Sequence, residues 1–170
     1  LNMGYVHNVL IWSLYSQQWP NNHAGGERRE FVDGSQKVGY IENLRESTTP
    51  MRPWYSFAMI SRYLGEGKVY ECQIDRPLYV SAIDRTDGEF TVLVTSYNNE
   101  KTDIEVNFAK ELGGKTLYRY LYNPETIEAT PGNNMIQSDK TIENVSEGFR
   151  DLLPGCCVAL YTTEKPANIK

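Results

Sequence analysis

The stretch TDGEFTVLVTSYNNEKTDIEVNFA, residues 86–109, decides the fold class of this chain. Asp87-Gly88 stands between two strand-like runs, and this dipeptide is a strong signal for a β-hairpin. Residues 103–108 alternate polar and apolar side chains, which is the pattern of a strand in a sheet with one wet face. The stretch therefore predicts short antiparallel strands joined by tight turns.

The same period of two continues on both sides of this stretch. Turn signals at Asn98-Asn99, Gly113-Gly114 and Pro131–Asn134 separate the runs. Seven or eight short strands with such spacing predict a mainly β fold, a two-sheet antiparallel β-sandwich. The strand-like runs are residues 68–74, 78–84, 89–98, 103–109, 116–122, 141–145 and 157–163.

A helix is expected immediately before the first strand. Pro50 and Pro53 suit its first turn, and Gly65 occupies the position that ends a helix. Residues 65–67 are too short a junction for a flexible linker, so helix and sandwich are expected to form one rigid unit. Apolar residues on several sides predict packing on two sides. One predicted packing face carries Trp54, Phe57, Ala58, Ser61 and Leu64.

The first 64 residues read as one β/α unit without the rest of its sheet. Val9–Trp12 is a near-continuous apolar run, typical of a parallel strand buried on both faces. A polar, Gly-rich loop over residues 17–35 connects it to the helix. A parallel strand needs parallel neighbours, and the chain starts with Leu1 instead of Met. We therefore expect the carboxyl-terminal part of a larger protein.

Composition and charge exclude several classes of function. The net charge is -5 and the 17 Lys and Arg residues are scattered, so no basic patch is available for nucleic acid or an anionic membrane. No apolar run approaches the roughly 20 residues that span a bilayer, and no signal peptide is recognisable, which leaves open whether the parent protein is secreted or periplasmic.

No cofactor motif or metal-ligand cluster is recognisable in the sequence. The three cysteines are Cys72, Cys156 and Cys157, and the two histidines are His7 and His23. These residues do not have the spacing of a metal site. The thiols are expected to be inert and at least half-buried, with a disulfide or a metal role as the alternative.

Four segments carry a recognisable pattern: VLIWSLY at 9–15, RPWYSFAMI at 52–60, RYLG at 62–65 and LPGCCVAL at 153–160. They resemble, in this order, the eighth barrel strand, the start and end of the last barrel helix, and the closing sandwich strand of a glycoside hydrolase of the clan built on a TIM barrel with an appended β-sandwich. The pattern is closest to family 39, the β-xylosidase and iduronidase type. The resemblance implies that residues 1–65 are the last β/α unit of a (β/α)8 barrel and residues 66–166 an accessory β-sandwich. The fold would then be a sandwich preceded by a strand-loop-helix remnant of the barrel.

The resemblance also implies where the chemistry takes place. In that clan two catalytic carboxylates lie at the ends of the fourth and seventh barrel strands, which would precede Leu1. It thus implies no catalytic residue, no metal and no cofactor here; the partners would be the upstream catalytic barrel and a carbohydrate substrate. Trp12 matches an aromatic residue that forms the floor of the sugar site in that clan. An aromatic residue suits this position because the apolar faces of sugars stack on rings. Trp19 and His23 are further candidate substrate-binding residues.

A carboxylate pair in the polar loop is an alternative site. Glu27, Glu30 and Asp33 could serve glycoside hydrolysis, which needs two side chains about 5 to 9.5 Å apart. They alternate with two arginines in a Gly-rich loop, a pattern more typical of solvated charges and local ion pairs. We therefore expect no catalysis by these residues.

Three tyrosines in one predicted strand raise a second function class. Tyr118, Tyr120 and Tyr122 recur on one face and could form a flat platform, which would make the sandwich a carbohydrate-binding module. Such platforms usually rely on Trp, which is absent after Trp54. The favoured interpretation is that these rings cover the helix or the barrel, and that the sandwich braces the barrel.

Overall fold

The structure is a computed structural model that describes residues 52–75, 77–127 and 135–166. In this part the chain forms one helix followed by eight β-strands. The helix α1 spans Arg52–Tyr63, and the strands are β1 (Gly67–Tyr70), β2 (Leu78–Arg85), β3 (Phe90–Ser96), β4 (Thr102–Asn107), β5 (Lys115–Tyr122), β6 (Ser138–Val145), β7 (Gly148–Leu153) and β8 (Cys157–Thr162). No helix of the described ranges has the length and apolar character needed to cross a membrane.

The strands form two antiparallel sheets, as predicted. The large sheet has six strands in the order β1-β2-β3-β8-β5-β6, and the small sheet pairs β4 with β7. The last strand, β8, therefore lies in the middle of the large sheet, between β3 and β5. The predicted mainly β class is confirmed, while the predicted parallel strand at residues 9–12 lies outside the described residues.

The strand β7 is the one element that the sequence pattern does not predict. Its inward positions are Phe149, Asp151 and Leu153, while Leu152 points outward. A buried carboxylate and an exposed leucine disturb the expected alternation of apolar and polar side chains. As a result, Leu153 ends β7 instead of opening the closing strand, which begins only at Cys157.

The main core lies between the two sheets. Alternate residues of β3 and β8 point into it, and the two-stranded sheet covers them from the other side. Burial of these branched and aromatic side chains is the principal stabilising term of such a sandwich. The buried members include Phe90, Val92, Val94, Ile104, Leu117, Phe149, Leu153, Ala159 and Tyr161.

Helix α1 packs on the outer face of the large sheet. Tyr55, Met59 and Tyr63, spaced four residues apart, are its most buried side chains. Of the predicted packing face, only Ala58 is buried, Ser61 is exposed, and the others are half-buried. The sandwich thus contacts another side of the helix most closely, and packing of the predicted face stays a prediction.

The end of α1 is joined tightly to the sheet. Leu64 N–H donates to Ile60 C=O at 2.9 Å, and Gly65 follows in the left-handed conformation with φ of 70°. A Cβ atom at Gly65 would lie 2.6 Å from the Arg85 side chain. A glycine is therefore required here, both for the backbone conformation and for the close approach to β2.

Candidate functional site

The residues predicted to bind substrate are Trp12, Trp19 and His23, and all three lie outside the described residues. The same holds for the alternative carboxylate pair in residues 27–33. Within the described ranges no group of three or more His, Cys, Asp or Glu side chains could hold a metal ion. The candidate site in the described part is a packing surface between α1 and the large sheet.

That packing surface is the contact between α1 and the large sheet. The strand register aligns Leu93, Leu160 and Tyr120 in one row across β3, β8 and β5. The buried face of α1 packs on this row, and the ring of Tyr63 stacks on the ring of Tyr120 with 4.3 Å between centroids. We call these residues the helix–sheet contact: Tyr55, Met59 and Tyr63 from α1, and Leu93, Tyr120 and Leu160 from the sheet.

Polar contacts fix the carboxyl end of α1 on the sheet. Thr91 Oγ1 donates to Tyr63 C=O at 2.8 Å, and Arg85 Nη1 donates to the same carbonyl at 3.2 Å. Arg85 Nη1 also lies 2.6 Å from Glu164 Oε2, and Arg62 Nη2 lies 2.6 Å from Glu164 Oε1. A cation at the negative end of the helix dipole is favourable. The helix is thus held by both apolar and charged contacts.

The three tyrosines of β5 lie on the side of the sheet that faces α1. Tyr120 is buried, and Tyr118 and Tyr122 are half-buried against the same cluster of side chains. Burial raises the pKa of Tyr120 above its ordinary value of 10.0. These rings do not form an exposed platform, because the central one is covered by Tyr63.

A buried charge cluster joins the two sheets. The carboxylate of Asp151 in β7 is 1% exposed and lies 2.8 Å from Arg119 Nη1 and 2.6 Å from Lys140 Nζ. Tyr161 Oη donates to it at 2.7 Å, and the N–H of Leu152 donates at 2.9 Å. The cluster therefore connects β7 of the small sheet with β5, β6 and β8 of the large sheet.

The pKa of Asp151 reflects this environment. Burial alone would raise the pKa of Asp151, but hydrogen bonds from Lys140, Tyr161 and Arg119 outweigh it and place the pKa below its ordinary value of 3.8. Burial and the hydrogen bond to Asp151 raise the pKa of Tyr161. This cluster was not predicted from the sequence, because β7 was not recognised as a strand and hydrophobic patterning does not identify a paired, buried charge.

Acid is expected to remove the contribution of Asp151 to stability. Its pKa is lower in the folded chain than in the unfolded chain, where it is about 3.9. The contribution is therefore complete above about pH 5 and is lost as the pH falls through the lower, folded-state pKa. Thermal unfolding between pH 6 and pH 2.5 should show a steeper acid loss for the wild type than for Asp151→Asn. Parallel curves would contradict the assignment.

A cleft of about 830 Å³ opens between β2 and β4. It exists because the small sheet has two strands and covers only part of the six-stranded sheet. An ion pair of Asp84 and Lys110, 2.7 Å apart, lies at its rim. Its walls include Tyr70, Val80, Val92, Ile104 and Phe108.

Comparison with known proteins identifies the fold. No protein-family profile matches the chain. No curated protein matches it in sequence. Among solved structures, a glycoside hydrolase family 30 subfamily 8 xylanase from Clostridium acetobutylicum is 16% identical with a TM-score of 0.58; the match covers 77% of this chain and 32% of that chain. The catalytic domain of a family 30 xylanase C from Talaromyces cellulolyticus is 14% identical with a TM-score of 0.53, over 74% of this chain and 27% of that chain.

These similarities concern the fold. The chain spans less than a third of each of the two enzymes, and both are family 30 enzymes, so the resemblance to family 39 is not confirmed. At this level of identity the likeness carries no residue roles. The chain shares its fold with a part of solved family 30 glycoside hydrolase structures.

Proposed function

We propose that this chain is the carboxyl-terminal accessory region of a clan A glycoside hydrolase and that it braces the catalytic barrel without catalysing a reaction itself. The observation that carries the proposal is the helix–sheet contact, in which α1 is fixed on the sandwich by buried side chains and by charged contacts at its end. The fold shared with two xylanase structures supports it. So do the barrel-helix motifs of residues 52–60 and 62–65.

The bracing role follows from the position of α1. One face of the helix is buried on the sandwich, and the last helix of a (β/α)8 barrel packs with another face on the barrel strands. A helix packed between the sandwich and the barrel couples their stabilities, because displacement of the helix removes its contacts with both. We place the barrel unit at residues 1–65 and the sandwich at residues 66–166.

The proposed substrate of the parent enzyme is a polysaccharide of the xylan type, since both structures with the shared fold are xylanases. The catalytic carboxylates would lie in the upstream barrel. Trp12, Trp19 and His23 are proposed to contact the sugar, with Trp12 as the stacking ring beside the scissile bond. A carbohydrate-binding module is the alternative function.

The half-life of xylanase activity tests the bracing role. In the polypeptide that also carries the barrel, Met59→Ala should shorten the half-life at elevated temperature about tenfold or more, because a tenfold change needs only about 1.4 kcal/mol. The KM and kcat below that temperature should stay unchanged, and Ser61→Ala, on the exposed side of α1, is the matched control.

Three results would contradict the proposal. The first is an unchanged half-life of the Met59→Ala enzyme. The second is the absence of xylanase activity in the complete wild-type polypeptide. The third is hydrolysis of xylan by the 170-residue chain alone that disappears in Glu27→Gln or Glu30→Gln, because the chain itself would then be the enzyme.

A further inference from the structure

Two tyrosines on the helix-bearing face of the large sheet are strongly exposed. Tyr79 of β2 is 58% exposed, and Tyr97, directly after β3, is 67% exposed. Their rings contact each other edge to face, with 5.5 Å between centroids and 88° between planes. The other exposed large hydrophobic side chains of the described part are aliphatic: Val69, Ile74 and Leu152.

We propose that Tyr79 and Tyr97 form a carbohydrate-binding surface, which we call the Tyr79–Tyr97 surface. The identity of the ligand, a xylan-type polysaccharide, rests on the proposed function. Pyranose rings present C–H faces that pack on aromatic rings. Two perpendicular rings offer one face for stacking and a second ring as a side wall.

Hydrogen-bonding groups follow Tyr97 directly in the chain. The turn after it contains Asn98, Asn99 and Glu100, and together with the start of β4 it lines a pocket of about 550 Å³. Amide, carboxylate and hydroxyl groups are the donors and acceptors that sugar hydroxyls require. Two exposed rings followed in the chain by a polar turn therefore suit an oligosaccharide.

The size of the apolar surface favours a sugar over a protein partner. A stable protein interface buries about 800 Å² on each side, whereas the Tyr79–Tyr97 surface offers two rings and the polar turn that follows Tyr97. Stacking of one sugar unit on one ring needs only the area of that ring. The surface is therefore matched to a narrow chain of sugar units.

The turn beside the rings is held in place before any ligand binds. Cys156 N–H donates to Asn98 C=O at 2.7 Å, and Asn98 Nδ2 donates to Thr102 Oγ1 at 3.2 Å. A Cβ atom at Gly155 would lie 2.2 Å from Asn99 C=O, so the turn between β7 and β8 contacts this loop closely. A rigid site loses less entropy on binding.

Titration of the 170-residue chain with xylohexaose and cellohexaose tests the proposal. Calorimetry should show saturable binding of xylohexaose, and binding of cellohexaose alone would contradict a xylan-type ligand. Tyr79→Ala and Tyr97→Ala should each weaken xylohexaose binding about tenfold or more, because each removes a stacking ring. Tyr79→Phe and Tyr97→Phe keep the rings and should bind within about threefold of the wild type. Leu152→Ala, an exposed apolar residue on β7, is the control.

The outcomes separate this proposal from the proposed function. Absence of binding, or equal binding by the Ala variants, contradicts the proposal that the Tyr79–Tyr97 surface binds carbohydrate and leaves the bracing role unaffected. Ala variants that bind sugar normally but destabilise the polypeptide with the barrel would show a contact between domains and overturn it as well. Binding by the chain, with no xylanase activity in the complete polypeptide, supports the surface and overturns the proposed function.

Discussion

Asp151→Asn is expected to destabilise the fold by about 2 to 4 kcal/mol, because it removes the buried charge that pairs with Arg119 and Lys140. The carboxylate is 1% exposed and contacts Arg119 and Lys140. The expected loss stays below that of a fully buried pair, since Arg119 keeps its contact with Asp139 and the Lys140 side chain is 42% exposed. Urea unfolding at pH 7 measures the change in the free energy of unfolding.

An exposed ion pair provides the control for this experiment. Glu105 and Arg150 join β4 and β7 at 2.8 Å, with both side chains largely in solvent. Such pairs contribute about 0 to 1 kcal/mol, so Glu105→Gln should change stability little. A loss on Asp151→Asn no larger than that of Glu105→Gln would show that the buried cluster does not hold the sheets together.

Met59→Ala is expected to destabilise the isolated chain by about 2 to 5 kcal/mol, the range for truncating a buried Met, Leu or Ile. Met59 is 0% exposed in the centre of the helix–sheet contact. Ala has a high helix propensity, so the loss reports on packing and not on the helix backbone. Chemical unfolding followed by circular dichroism measures it.

Ser61→Ala is the matched control on the exposed side of the same helix, and it should stay within about 0.5 kcal/mol of the wild type. A smaller denaturant dependence in Met59→Ala would indicate that α1 has left the sheet in the folded state. Equal stabilities of Met59→Ala and Ser61→Ala would show that α1 does not contribute to the fold of this chain.

The sequence predicts a strand best where one face of the strand is exposed to solvent and the other face is buried. In β4 polar and apolar side chains alternate from Asp103 to Asn107, and their burial alternates in the same way. β7 was not predicted from the sequence because Asp151 takes an inward position, where it pairs with cations. Hydrophobic patterning does not anticipate a buried carboxylate. The sequence did not show which side of α1 contacts the sandwich, because apolar side chains lie on more than one side of the helix.

The Tyr79–Tyr97 surface could not be predicted from the spacing of these residues in the sequence. Tyr79 and Tyr97 are 18 positions apart and meet only because β2 and β3 pair with Tyr79 opposite Thr95. That register depends on the turn and on the core as a whole. The helix-facing tyrosines of β5, by contrast, follow one strand and were visible as a set, while the roles of Trp12, Trp19 and His23 stay predictions.

The central position of β8 has a consequence for how the chain folds during synthesis. β3 and β5 both pair with β8, so the large sheet stays divided until that strand has left the ribosome. Thr91 and Thr162, partners in the finished sheet, are 71 positions apart, and contacts of such long range form slowly. Until then β3 and β5 present open edges, and open edges pair readily with other chains. The nascent chain therefore exposes two unpaired strand edges until β8 emerges.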